Sequence, residues 1–363
     1  MKLQVTRDNL NKALVSVARV ANARGTLPIL GNILIQTVGN RLSVAATNLD
    51  IAITHYVGAK ISQPGAITVP ARLMQDFIAG LPSGVVELNL EDYKLHIQTE
   101  QYQSIINGTA AEDFPVMPDI NSEKQLKLAS EELRKSLQQV IFAASSDQSR
   151  PVLTGVYFHV VDGVLFVAAT DSYRLAEKNL TKTKQNTQLL VPANAMQDLL
   201  RILSDNEGET QITYDEQQVI FKAGDVELVA RLIEGDYPDY RQLIPQQFAT
   251  QATLKRAEFL NIAKVSSLFA RESGGSITIK IDEPNSNLSI HSIASQLGEN
   301  NATASAKISG SGSITLNSRY LIDALQALSG DEVKFCFNGK LEASAIINPK
   351  SDDYVHIIMP LKS

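Results

Sequence analysis

The stretch T-V-P-A-R-L-M-Q-D-F-I-A-G-L-P-S-G, Thr68 to Gly84, returns twice in altered form: L-V-P-A-N-A-M-Q-D-L-L-R-I-L-S from Leu190 and T-L-N-S-R-Y-L-I-D-A-L-Q-A-L-S-G from Thr315. Aligning Val69, Val191 and Leu316 brings Asp76, Asp198 and Asp323 into register, each with a leucine five residues on (Leu81, Leu203, Leu328). The copies lie 122 and 125 residues apart, far beyond the ~20 to 50 residues of a solenoid unit, so the repeating object is a whole domain. Each copy reads as a strand end, a short helix and another strand. Met74, Phe77, Ile78 and Leu81, matched by Met196, Leu199, Leu200 and Leu203, have the i, i+3, i+4, i+7 spacing of one helix face. Pro70 and Pro192 stand at the helix entry, where a missing N–H does no harm. A single apolar stripe is ordinary core packing; its recurrence carries the information.

A second amphipathic segment precedes each of these, led by Arg7-Asp8-Asn9-Leu10, Ser130-Glu131-Glu132-Leu133 and Arg256-Ala257-Glu258-Phe259 at offsets of 123 and 126. In the first, Leu10, Ala13, Leu14, Val17 and Ala21 oppose Lys12, Ser16 and Arg19; in the second, Leu133, Leu137 and Val140 oppose Lys135 and Gln139. The third sets Asn261 and Lys264 on its polar side and Leu268 in the open where the first has Arg19. Alternating runs follow each helix, joined in the first two repeats by Gly39-Asn40 and Asp162-Gly163, a hairpin signal. Each repeat therefore predicts an α+β domain, an antiparallel sheet with two helices on one face. A β-α-β-β-β unit written twice per domain would supply both helices, although residue matching does not reveal it. The periodic pattern lapses at Phe114–Asp119 and Tyr237–Pro245, dividing the chain into domains 1–122, 123–249 and 250–363.

At 363 residues the chain exceeds one ordinary core. No apolar run reaches the ~20 residues of a membrane span, and Met1 to Val5 opens into an alternating strand with no secretory leader. The lone Cys336 excludes a disulfide framework and a multi-cysteine metal site, and points to the cytoplasm. A net charge of −6 argues against a uniformly basic nucleic-acid binder, but says nothing of how charge is distributed. Catalytic signatures are missing: no Walker glycine loop, G-x-G-x-x-G, H-E-x-x-H or C-x-x-C. His55, His96, His159, His291 and His356 fall in strand-like runs without metal-ligand spacing. Asp76, Asp198 and Asp323 read as helix-surface or capping residues and not as a carboxylate cluster. Asp171, Tyr173 and Arg174 could do acid/base work at a domain seam, but nothing positions a nucleophile or cofactor beside them. No enzyme, cofactor or metal is expected.

Together, Leu27-Pro28-Ile29-Leu30-Gly31-Asn32, the paired V-P-A segments, Ala169 to Ala176 (A-T-D-S-Y-R-L-A), Phe114-Pro115, Tyr237-Pro238-Asp239-Tyr240-Arg241 and the terminal Met359-Pro360-Leu361 resemble the bacterial sliding clamp family, the β subunit of DNA polymerase III. The resemblance runs from end to end, carried by the order and spacing of the motifs. It implies three copies of one α+β domain per chain, with two chains closed head to tail into a six-domain ring, helices lining the hole and sheet outside. Such a homodimer encircles double-stranded DNA without reading sequence. It tethers the replicative polymerase, repair or translesion polymerases and the clamp loader through their clamp-binding peptides. The alternative is a scaffold of the same triplicated domain that does not circle DNA.

The resemblance also implies sites. Lys12, Arg19, Arg134 and Lys135 on polar helix faces would make the hole basic, with Arg7, Arg24, Arg72, Arg150, Arg201, Lys255, Arg256 and Lys264 near helix ends or on the second helices. The peptide pocket would be walled by Leu153, Thr170, Tyr173, Arg174, Leu175, Pro238, Leu243, Tyr320, Ile358, Met359, Pro360 and Leu361. Ser172-Tyr173 and Gln242 depart from the family's usual residues and bear on peptide preference. The dimer contact would continue the sheet from Tyr102, Ser104 and Ile106, an edge that needs a partner, to Leu268 and Phe269 just after the third domain's first helix.

Overall fold

Alternation alone makes the first strand: in β1 (Lys2–Thr6), Leu3 and Val5 are buried while Lys2, Gln4 and Thr6 face out. The structure is a computed structural model that describes residues 1–21, 27–120, 122–296 and 298–362. The first third continues with α1 (Arg7–Val17), β2 (Asn32–Val38), β3 (Arg41–Thr47), β4 (Ile51–Gly58), β5 (Lys60–Gln63), β6 (Ala66–Pro70), α2 (Ala71–Gly80), β7 (Val85–Glu91), β8 (Lys94–Gln98) and β9 (Gln103–Asn107). The second holds β10 (Gln125–Ala129), α3 (Ser130–Val140), β11 (Gly155–Val161), β12 (Val164–Thr170), β13 (Arg174–Lys182), β14 (Gln188–Pro192), α4 (Ala193–Ser204), β15 (Glu209–Tyr214), β16 (Gln218–Ala223) and β17 (Val226–Arg231). The third holds β18 (Thr250–Lys255), α5 (Arg256–Phe269), β19 (Ser276–Asp282), β20 (Asn287–Ala294), β21 (Gly298–Ser305), β22 (Lys307–Ser309), β23 (Gly312–Asn317), α6 (Ser318–Ala327), β24 (Glu332–Phe337), β25 (Ser344–Ile347) and β26 (Tyr354–Ile358). Apart from the short extras β5 and β22, every third is β-α-β-β-β written twice, the inner repeat that residue matching does not reveal.

The antiparallel pairing expected of each repeat is present and is shared between two sheets in every third. In each third the two halves exchange their first strands: β1 pairs with β7 while β6 pairs with β2, β10 with β15 while β14 with β11, and β18 with β24 while β23 with β19. Each third thus contributes to two sheets, and all the pairings are antiparallel.

Packing divides the chain into two units, residues 1–131 with 197–232 and residues 132–196 with 233–363. The first unit holds a five-stranded sheet, β5-β1-β7-β8-β9, and an eight-stranded one, β10-β15-β16-β17-β4-β3-β2-β6. In the latter, strands of the first and second thirds meet at β17·β4, from Val226 opposite His55 to Ala230 opposite Ile51. The second unit holds a nine-stranded sheet, β14-β11-β12-β13-β26-β25-β24-β18-β22, and a four-stranded one, β21-β20-β19-β23. Here the second and third thirds meet at β13·β26, from Arg174 opposite Ile358 to Lys178 opposite Tyr354.

Helix faces follow the predicted stripes, with Leu10, Ala13, Leu14 and Val17 of α1 and Met74 and Ile78 of α2 buried. Burying such a side chain contributes roughly 1.5–3 kcal/mol. Three details differ. First, α1 stops at Val17, so Arg19 and Ala21 lie past its last turn. Second, Gln139 is buried and donates to the Ala327 carbonyl at 3.0 Å, so it is not on an open polar face. Third, Leu268 and Phe269 lie within the last turn of α5 and not after it. Glycine is required at Gly155, where a Cβ would come within 2.7 Å of Leu190 Cδ1 and 3.0 Å of the Val191 carbonyl of the paired strand β14. No helix among the described residues is long and apolar enough to cross a membrane.

Candidate functional site

The β12–β13 turn is built by side chains that replace backbone partners. Thr170 Oγ1 donates to the Arg174 carbonyl (2.6 Å) and accepts from the Ser172 amide (3.1 Å), while Asp171 Oδ1 accepts from the amides of Tyr173 and Arg174, both at 2.9 Å. Ser172 takes a positive φ of 78°, as short polar residues tolerate in turns. The turn pushes Tyr173 into the open at 59% exposure, while its carbonyl accepts from the Met359 amide at 2.8 Å. Leu361 is tied in the same way to the Thr315 carbonyl at 2.8 Å, so the apolar end of the chain is pinned and half-buried.

Arg174 has its whole guanidinium engaged. Nε donates to Asp171 Oδ2 (3.1 Å), one terminal nitrogen to Asp323 Oδ2 (2.7 Å) and the other to the Phe142 carbonyl (2.6 Å), with the rings of Phe142 and Tyr320 against its faces. Asp323, read from sequence as a helix-surface residue, is instead half-buried and bound to the candidate site. Tyr320 sits one turn ahead of it on α6, its hydroxyl pKa raised by burial. Leu153 is buried in a 3-10 turn at Pro151–Thr154; Leu175 and Ile358 are buried on the seam strands. The proposed pocket residues of the strands, the β12–β13 turn, α6 and the terminus thus lie around one end of the β13·β26 seam.

Pro238 and Leu243 come from the segment between β17 and β18, where both are exposed. That segment crosses the 3-10 turn at Gly235, whose φ is 120° and where an added Cβ would lie 2.9 Å from Val152 Cγ1, so no other residue fits without strain. Beyond it Tyr237 stacks on Tyr157 (4.6 Å between centroids), which stacks on His159 (4.7 Å). Tyr240 donates its hydroxyl proton to Glu177 Oε2 (2.5 Å) and so accepts from His159 Nε2 (2.5 Å). Arg241 grips both Glu177 oxygens, at 2.8 and 3.0 Å, while lying 4.0 Å over the Phe166 ring. Burial lowers the His159 pKa to about 4 and raises the hydroxyl pKa values of Tyr237 and Tyr240. Sequence reasoning missed this cluster. Its signal was the difference between Tyr-Pro-Asp-Tyr-Arg here and the plainer Phe-Pro-Val-Met-Pro of the first linker.

The candidate DNA-facing cations divide sharply. Arg7 donates to the Ile78 and Ala79 carbonyls at the end of α2, and Arg256 to the Leu325 and Gly330 carbonyls at the end of α6, so both cap helix C-termini and do not project as free cations. Arg150 contacts Ser172 Oγ (3.1 Å) and Asp147 (3.7 Å), which sets it beside the β12–β13 turn. Lys12, Arg19 and Arg201 line one cleft of about 530 Å³ between α1 and α4, with His55 also in its wall. There Arg201 pairs with Asp198 (2.7 Å) and Lys12 with Asp205 (3.7 Å). Burial raises the pKa of Asp198 and lowers that of His55 to about 4. Arg72 is almost wholly exposed, 3.8 Å from Asp76. Lys135, Lys255 and Lys264 are exposed and Arg134 partly so, whereas Arg24 lies outside the described residues.

Among the dimer candidates, burial separates two neighbouring isoleucines. In β9, Ile106 is buried at 5% exposure and Ile105 is the residue that faces out, at 58%. Ser104 is partly exposed, and Tyr102 precedes the strand. A one-residue shift turns a strand side chain to the other face of its sheet, so of the two neighbouring isoleucines Ile105 is presented to the surface and Ile106 to the core. Leu268 is half exposed in α5 and Phe269 partly buried.

Comparison with known proteins covers almost the whole chain. Residues 1–118, 127–239 and 241–362 match the N-terminal, central and C-terminal domains of the DNA polymerase III beta subunit. The curated beta sliding clamp of Bacillus subtilis (strain 168) is 30% identical over 380 residues, and that of Staphylococcus aureus (strain Mu50) 30% over 377, each over the full length of both chains. Among solved structures, the Bacillus subtilis DNA polymerase sliding clamp superposes with a TM-score of 0.95 at 28% identity, covering 100% of this chain and 99% of that one. The Pseudomonas aeruginosa DnaN sliding clamp bound to griselimycin gives 0.95 at 25%, covering both chains in full.

Proposed function

The chain belongs to the DNA polymerase III beta subunit family, the sliding clamps, and from that membership we propose that two copies close head to tail around duplex DNA and tether polymerases to it. The family is one of processivity factors, which act through topology and not through catalysis, and membership favours the ring over a non-encircling scaffold. A closed ring cannot leave unbroken circular DNA without opening, so a bound polymerase stays on its template. Sliding needs contacts that carry no sequence information, which phosphate charge supplies.

The observation that carries the closure is a rule of strand pairing. The last strand of the first half of one domain joins the last strand of the second half of the next: β4 to β17, and β13 to β26. The third domain's strand of that class, β21, and the first domain's, β9, both end their sheets. Head-to-tail pairing of β21 with the partner's β9 completes the series and removes both open edges. The dimer site is then Tyr102, Ser104 and Ile105 against β21, with Leu268 and Phe269 beside them, and Ile106 contributes only backbone.

Domains of 1–122, 123–249 and 250–363 are supported by the strand-free segments before β10 and β18. Lys12, Arg19, Arg72, Arg134, Lys135, Arg201, Lys255 and Lys264 remain the cations of the hole. The residues around the end of the β13·β26 seam form the peptide pocket for polymerases and the loader. The setting is the cytoplasm, where replication proteins act. The experiment is solution mass together with retention on DNA: a mass of two chains and retention on circular DNA that is lost on linearisation are expected. Equal retention on both forms would remove the encircling ring.

A further inference from the structure

Glu177 lies three residues past Arg174 on β13 but faces away from the arginine hub, buried under the segment that joins β17 to β18. Its two oxygens hold two side chains of that segment: the Tyr240 hydroxyl, itself held by His159, and the fork of Arg241. Tyr240 in turn packs in one buried cluster with Leu175 and Ile357 of the seam strands. Two exposed apolar residues, Pro238 and Leu243, flank this anchor on the same segment, while between them only Tyr240 is buried. The corresponding first linker is held differently: among its described residues Phe114 is buried against Leu34 and Ala45, an apolar contact in place of an ionic one. A segment held by one carboxylate, a stack of rings and a cation over Phe166 has a fixed path, and side chains on it are presented without the cost of ordering a loop at each binding event.

With the peptide-pocket reading as premise, we propose that Glu177 is a positioning residue for the peptide site: by holding Tyr240 and Arg241 it sets the place of Pro238 and Leu243, which it does not touch itself. A buried carboxylate that pairs with an arginine fork is replaced at little change of volume by glutamine, which cannot hold the fork as a charged partner.

The test is peptide affinity, measured by calorimetry with a synthetic peptide of the polymerase C-terminal tail, on the intact dimeric protein. E177Q is expected to weaken binding about tenfold while the dimer mass and retention on circular DNA stay as in the unsubstituted protein. Leu243→Ala is also expected to weaken binding about tenfold. Because Glu177 acts through the segment bearing Leu243, the double variant should lose roughly twentyfold and not the hundredfold of independent sites. Full multiplication of the two losses would mean that Glu177 only stabilises its unit, and would overturn the role. Tyr240→Phe, which removes one hydroxyl, is the second variant if E177Q does not fold, and is expected to weaken binding in the same direction; unchanged affinity there overturns the role equally. Normal binding by both the unsubstituted protein and E177Q overturns the role of Glu177 alone, whereas no binding by the unsubstituted protein overturns the pocket premise and this role with it.

Discussion

Placing aspartate at Ile105 tests ring closure at its most exposed apolar point. Ile105 is 58% exposed in the single chain, so about half of the roughly 1.5–3 kcal/mol for burying an isoleucine, ~1 kcal/mol, is left to be gained at the subunit contact. A carboxylate forced into a closed strand seam adds on the order of 2 kcal/mol of unmet polar burial. A head-to-tail dimer contains the contact twice, so Ile105→Asp should cost about 6 kcal/mol, or roughly four powers of ten in the dimer dissociation constant at ~1.4 kcal/mol per tenfold. Adding Leu268→Asp, at a side chain 50% exposed on α5, should leave a folded monomer at any practical concentration, although neighbouring losses do not add in full. Sedimentation equilibrium reads the mass and circular dichroism the fold. Ile106→Asp is the control: at 5% exposure it puts a carboxylate into the first domain's core and should unfold that domain. A double variant that still sediments as a dimer would refute the pairing of β9 with β21.

Deleting 359–363 removes Met359, Pro360 and Leu361 with their backbone ties to Tyr173 and Thr315; the ring should persist, while loss of two apolar anchors at ~2 kcal/mol each weakens a polymerase-tail peptide about a thousandfold by calorimetry. Near-normal binding would remove the terminus from the pocket. Arg72→Glu should lower the log–log salt slope of DNA binding by about 0.9 or more, whereas Arg7→Glu should leave the slope unchanged and lower the melting temperature, because Arg7 caps α2. The buried histidines should make the fold acid-sensitive. Burial lowers the pKa from 6.5 to about 4 in His55 and His159 and to about 3 in His356, so the unfolded chain takes up protons first. The stability they contribute is fully present above pH 6.5 and is lost as pH falls toward the folded values. His356→Phe should therefore shift the acid-unfolding midpoint to lower pH in a circular-dichroism titration; an unmoved midpoint would refute that assignment.

Much of this protein was legible from its residues. The recurrence of V-P-A and of the aligned aspartates made three domains, and the stripes around Leu10, Met74 and Met196 made helices, because apolar periodicity is a local property that each segment expresses for itself. Asp162-Gly163 placed a hairpin for the same reason. Strand partnership is not local. That β1 pairs with β7 and not with β2, and that β13 closes on β26, depends on contacts between segments far apart in the chain, and one-dimensional alternation is equally satisfied by other partners. The same limit hid which of Ile105 and Ile106 is buried, since the face a strand buries is fixed only by the neighbour it meets. It also hid the roles of Arg7 and Arg256, which look like free cations until the ends of α2 and α6 arrive beside them with unpaired carbonyls. Glu177 was invisible for the strongest form of this reason: a lone carboxylate in a strand carries no sign of its partners, and only packing brings Tyr240, His159 and Arg241 to its two oxygens.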